Sequence, residues 1–229
     1  PDGKSVGYVR ENDLYVENIE TGKITRLTSN GSATMINGTS DWVNEEEFNL
    51  RDCWRWSPDS KSIAFWQFDA SGIEDFILLD NTKGLYPKLT RIPYPKTGTT
   101  NAAVRVGVIG SDGGEPRWMQ TPGDPRNTYI VSVDWTGDSR EVYLQHFNRL
   151  QNTLQVLAAD ARTGSVRNIL TEKDDAWIDL ELPNMVWLDG GKRFLWSSER
   201  TGWRHAYSVS SDCKDVRPIT KGDFDMIAV

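Results

Sequence analysis

Two cysteines and two histidines in 229 residues leave little material for metal chemistry or a disulfide framework. Cys53 and Cys213 are too few and too far apart for either, and His146 and His205 have no partner at ligand spacing, so no metal and no cofactor is expected. No apolar run approaches the roughly 20 residues that span a bilayer, so no membrane contact is expected from this segment. A Lys/Arg-rich run is also missing. With 26 basic against 33 acidic residues and a formal charge of -7, the balance argues against nucleic acid or an anionic surface as partner. No signal peptide stands at the start, but Pro1-Asp2-Gly3-Lys4 reads as the middle of a repeat. The chain is therefore expected to be part of a longer protein, and its lack of targeting segments carries no information on compartment.

What is abundant is tryptophan, glycine and proline, at 10, 19 and 10 residues, the composition of short strands and many turns. Pro1-Asp2-Gly3-Lys4, Pro58-Asp59-Ser60-Lys61, Gly137-Asp138-Ser139-Arg140 and Asp189-Gly190-Gly191-Lys192 are turns of similar chemistry, each followed by alternating apolar residues. Trp56, Trp135 and Trp187 precede three of them at matching offset, which suits packing within or between repeats. Second strands are expected to begin at Ser5, Ser62, Glu141 and Arg193. Further strands follow at Asp13 to Asn18, Thr153 to Asp160 and His205 to Ser210, with third ones at Ile24 to Leu27, Val166 to Leu170 and Arg217 to Thr220. Repeated strand-turn-strand units without amphipathic helices predict an all-β fold, a β-propeller of four-stranded antiparallel blades, with residues 1 to 229 forming part of one propeller domain.

The basic turn residues Lys4, Lys61, Arg140 and Lys192 are unevenly spaced, and each interval exceeds a plain blade of about 40 to 45 residues. The first interval holds an insertion at roughly Ser29 to Asp52, and the second holds Leu85-Tyr86-Pro87-Lys88 and Ile92-Pro93-Tyr94-Pro95-Lys96. Asn30-Gly31 and Asn37-Gly38 read as tight turns, although both triplets also match a glycosylation sequon.

The first insertion carries Asp41-Trp42-Val43-Asn44-Glu45-Glu46-Glu47-Phe48. Asp41 is a good helix N-cap, and the glutamates then fall in or just after the first turn, where the helix dipole favours them. Neighbouring helical side chains point about 100° apart, so two carboxylates can flank one small cation such as a primary ammonium. A solvated acidic face is the plainer reading. Trp42, Val43 and Phe48 are expected to wall the acids with apolar surface, and only Arg51 stands nearby to neutralise them.

Asp41-Trp42-Val43-Asn44-Glu45-Glu46-Glu47 and Trp54-Arg55-Trp56-Ser57-Pro58-Asp59 resemble the propeller domain of the dipeptidyl peptidase IV family, serine peptidases of the prolyl oligopeptidase clan. Tyr94-Pro95-Lys96-Thr97-Gly98 and Ser198-Glu199-Arg200-Thr201-Gly202-Trp203-Arg204-His205 extend the likeness over nearly the whole chain. The resemblance implies an eight-bladed ring of which about four to five blades are present, and a C-terminal α/β-hydrolase domain, absent here, that carries the catalytic serine, aspartate and histidine. It implies that Glu46 and Glu47 bind the N-terminal ammonium of peptide substrates, and that Trp177 and Asp179 border the extended subsites. Asn44 stands where the family often has tyrosine, yet the acids keep their register. By the same resemblance the propeller gates and anchors substrates with a free N-terminus. Dipeptides ending in proline or alanine are then released, the location is periplasmic or extracellular, and the full-length protein can be a homodimer. An arginine that contacts the substrate carbonyl in the family is expected upstream and is not assigned to a residue here, and glutamates on the amine serve enzymes that release either two or three residues.

Gly3-Lys4-Ser5-Val6-Gly7 matches a nucleophile pattern, but Ser5 begins a strand in a hairpin repeat rather than capping a strand-to-helix elbow. This segment alone is thus expected to be inactive. The alternative to a peptidase domain is a non-catalytic propeller whose acids bind a partner's lysine or nothing.

Overall fold

The computed structural model describes residues 1–180 and 185–227. Antiparallel sheets follow one another along the chain. The first comprises β1 (Ser5–Arg10), β2 (Asp13–Asn18) and β3 (Ile24–Arg26). The second contains β4 (Met35–Asn37), β5 (Trp54–Trp56), β6 (Ser62–Asp69), β9 (Ala103–Gly110) and β10 (Gly113–Trp118). Its exceptions to simple order are α1 (Trp42–Phe48), between β4 and β5, and the two-stranded arm of β7 (Asp75–Asp80) and β8 (Lys88–Pro93), between β6 and β9. The third sheet is β11 (Thr128–Trp135), β12 (Glu141–Asn148), β13 (Thr153–Asp160) and β14 (Val166–Lys173), in that order. The fourth repeats it with β15 (Val186–Leu188), β16 (Arg193–Ser198), β17 (His205–Ser210) and β18 (Val216–Pro218). The serial four-stranded arrangement is that of propeller blades.

Alternation explains how the blades stack. Along β6, Ile63 and Phe65 face a core shared with Leu14 and Val16 of the first sheet and with Leu27 just beyond it. Ala64, Trp66 and Phe68 point the other way, into a core shared with Ile130, Leu144 and Leu157 of the third. Both faces are buried, so the strand reads as an apolar run and not as an alternating one. A further core joins Tyr129, Phe147 and Val156 to Phe194, Trp196 and Tyr207 of the fourth sheet. Tryptophans also tie blades through polar atoms: the Trp66 indole N–H donates to the Ile130 carbonyl at 2.7 Å, and that of Trp135 to the Arg55 carbonyl at 3.0 Å.

The repeated turn has a definite chemistry. The carboxylates of Asp2, Asp59 and Asp138 accept from the backbone N–H of Lys4, Lys61 and Arg140 at 3.0, 3.1 and 3.1 Å, so the basic residue contributes its amide to the turn. Ser57 and Thr136 hydroxyls donate to Asp59 and Asp138, holding both carboxyls below their ordinary range. Ser60 and Ser139 occupy the left-handed position of their turns and also join neighbours, accepting from the N–H of Asp2 and Asp59. The fourth turn has glycine at that position, and Gly191 cannot make this link.

Candidate functional site

The site is built on an interrupted strand. β4 and β5 pair with the same edge of β6, Asn37 opposite Gln67 and Trp54 opposite Phe65, leaving Trp66 opposite the gap. The Trp66 carbonyl accepts from Gly38 N–H at 3.0 Å, its N–H donates to the Cys53 carbonyl at 3.0 Å, and Cys53 N–H donates to the Gly38 carbonyl at 3.1 Å. The excursion carrying α1 is thereby clamped at its root. Gly38 has φ +73°, and a Cβ there would stand 3.0 Å from Val9 Cγ2 and 3.3 Å from Leu14 Cδ1, so both backbone and packing require glycine. The insertion is shorter than the sequence suggested, because Met35 to Asn37 resume pairing inside the expected Ser29 to Asp52 stretch. Asn37 lies in this strand and not in a turn, with its amide donating to the Asn12 carbonyl and to Asn30 Oδ1.

Asp41 caps α1 as expected, accepting from Asn44 N–H at 3.1 Å and from its side-chain amide at 2.7 Å. Burial pushes the Asp41 carboxyl up, against the lowering effect of these bonds. Asn44 is itself buried and also serves the other end, where its carbonyl accepts from Asn49 and Leu50 N–H groups. Phe48 packs on Tyr129 with ring centroids 5.0 Å apart, and Val43 joins the same core. Trp42 behaves differently from the expectation: it packs on Tyr94 in a tilted pair with centroids 4.0 Å apart and is not among the residues lining the acidic cavity. Its indole was expected to wall the acids; instead it braces the helix against the arm.

Arg51 pairs with Glu45 at 3.2 Å, both being exposed. The side chains of Glu46 and Glu47 make no ion pair or hydrogen bond among the described residues. Both are exposed, so the low-dielectric premium expected from apolar walls does not apply to them. They line a cavity of about 340 Å³ together with Phe48, Phe147, Trp177 and Asp179. All four residues singled out in the sequence thus border one space. They differ in availability. Asp179 is paired with Arg204 at 2.7 Å, and Arg204 also reaches Glu199 at 3.0 Å, so one guanidinium is shared by both acids and the Asp179 charge is offset in part. Trp177 is 67% exposed and offers an open aromatic face. Sequence reading missed Phe147 and Gln151, the second on the β12–β13 turn, because strand periodicity marks one as core and nothing marks the other.

Ser5, His146, His205 and the two cysteines are not among the described residues that line this cavity. Ser5 opens β1 opposite Asn18, with no elbow. The His205 ring contacts Thr220 Oγ1 at 3.1 Å and the Gly222 carbonyl at 3.0 Å, while His146 is buried in β12, which lowers its pKa. Both cysteines are free thiols.

Antiparallel sheets stacked in series, two of them four-stranded and one with an acidic helix spliced along its edge, define a β-propeller that presents in a cavity two carboxylates with no cation partner among the described residues. Residues 1–229 match the family described as Dipeptidyl peptidase IV (DPP IV) N-terminal region, and the chain belongs to that family. Dipeptidyl peptidase 4 of Arthroderma otae is 30% identical over 242 residues and that of Trichophyton rubrum 28% over 241; each alignment covers 100% of this chain and 31% of the relative. The crystal structure of Porphyromonas gingivalis dipeptidyl peptidase 4 superimposes with a TM-score of 0.93 at 26% identity, covering 100% of this chain and 32% of that one. The chain therefore spans about a third of the length of the relatives it matches.

Proposed function

We propose that this propeller segment anchors the N-terminal ammonium of a peptide between Glu46 and Glu47, within a full-length serine exopeptidase that releases Xaa-Pro or Xaa-Ala dipeptides. The observation that carries this reading is the pair of adjacent carboxylates with no cation partner among the described residues, on a helix clamped at its root and facing a cavity. The name dipeptidyl peptidase 4, carried by its relatives, supports the release of dipeptides. The chemistry divides between domains: the glutamates hold the amine, and a serine on an α/β-hydrolase domain attacks the bond after the second residue. An extended peptide advances about 3.3 Å per residue, so a fixed amine sets which carbonyl meets the nucleophile. An acetylated amine has lost its charge and cannot use the anchor.

Because the acids are exposed, each contact with an ammonium at about 4 Å lies between roughly 1 kcal/mol, the value in water, and roughly 4 kcal/mol near a protein surface. Glu46→Gln and Glu47→Gln in the full-length protein should each lower kcat/KM for a chromogenic Xaa-Pro substrate by about 10- to 100-fold, given about 1.4 kcal/mol per decade. Wild-type kcat/KM in the doubly substituted protein would refute the assignment.

A further inference from the structure

We propose that Tyr94, at the base of the β7–β8 arm, is a positioning residue that holds α1 through Trp42 and so fixes where Glu46 presents its charge. The inference rests on the reading of Glu46 and Glu47 as an ammonium anchor. A helix of seven residues has no stability of its own in water, so its orientation depends on what its side chains touch. Helical residues four apart share a face, which places Glu46 one turn from Trp42 and Glu47 one turn from Val43. The two apolar partners rest on different supports. Val43 joins the core between the third and fourth sheets, whereas Trp42 packs tilted on Tyr94 with centroids 4.0 Å apart and planes at 41°.

Tyr94 is in turn backed by Phe76 of β7 at 5.5 Å and tied by its N–H to the Glu74 carbonyl at 3.0 Å. Its hydroxyl makes no hydrogen bond among the described residues, so the hold is made by the ring alone. Removing the ring leaves α1 held on its Val43 and Phe48 side alone, so the helix can roll and shift the direction in which Glu46, on the Trp42 face, presents its charge. The arm therefore does more than project from the second sheet: its base forms one side of the mounting for the acids.

The test is a double-mutant cycle on kcat/KM of the full-length protein with an Xaa-Pro chromogenic substrate. Tyr94→Ala should lower kcat/KM about 3- to 10-fold, the range of an aromatic pair, and Tyr94→Phe should restore it. In a Glu46→Gln, Glu47→Gln background the Tyr94→Ala effect should vanish, since the residue acts through those acids. Unchanged kcat/KM in Tyr94→Ala, or an equal loss in the glutamine background, overturns the positioning role and leaves the anchor intact. Full activity of the glutamine background itself overturns the anchor and the inference together.

Discussion

Gly38→Ala tests the clamp beneath the acidic helix, and its cost can be separated into two parts. Gly38 and Gly22 have nearly equal backbone angles, φ +73° and +68°, but a Cβ at Gly22 meets nothing within 4 Å, whereas at Gly38 it meets Val9 Cγ2 at 3.0 Å and Leu14 Cδ1 at 3.3 Å. Alanine in the left-handed region costs about 1–2 kcal/mol, which is the whole expected effect of Gly22→Ala. Gly38→Ala adds an intrusion into the core around Leu14, and overpacking of this kind costs a further ~1–3 kcal/mol. For a chain of this size each kcal/mol lowers Tm by about 2–4 °C. The expected shifts are thus about 2–8 °C at position 22 and about 4–20 °C at position 38. Thermal denaturation followed by circular dichroism, with both variants measured side by side, reads the difference directly. Equal shifts for the two variants would show that Gly38 is required by its backbone angle alone, and the packing argument for the root of the excursion would fail.

Two further outcomes follow from ionisation and burial. Asp59 and Asp138 are held below the ordinary aspartate value of 3.8 by hydroxyl and backbone donors, so the stability they contribute is full well above 3.8 and lost as pH falls through the lowered native values. Asp41 and Asp134, raised by burial, act in the opposite sense, but Asp69, Asp80, Asp160, Asp212 and Asp215 are lowered as well. Tm should therefore drop once pH falls below about 5, and a Tm that rises between pH 5 and 3 would contradict the assignment. Burial pushes the thiols of Cys53 and Cys213 up to about 12, so mass spectrometry after iodoacetamide at pH 8 should find both unmodified in the native protein and modified in urea. Rapid native labelling of Cys53 would show that the root of the excursion opens.

Local chemistry made much of this legible. β1, β2, β13 and β17 have the bounds that their turns and alternation suggest, because each is flanked by a residue at positive φ or an aspartate-centred turn. Asp41 announces the helix in the same way, through a bond to a residue three positions on. What escaped the sequence depends on distant partners. β4 is only three residues long and owes its existence to the edge of β6, thirty residues away. The strands of the arm lack a buried face, so no alternation marks them, and Ile77, Leu79 and Leu89 remain exposed. Trp42 looks like a wall for the acids until Tyr94 is placed against it, and Asp179 looks like a free charge until Arg204 arrives from 25 positions on.

The central claim is that Glu46 and Glu47 together receive a peptide's amino terminus, and a crystal structure of the full-length protein with an uncleavable Xaa-Pro peptide tests it most directly. The account predicts the peptide nitrogen within hydrogen-bonding distance, about 2.7–3.2 Å, of a carboxylate oxygen from each residue. A peptide bound with its amino terminus away from both side chains would contradict it.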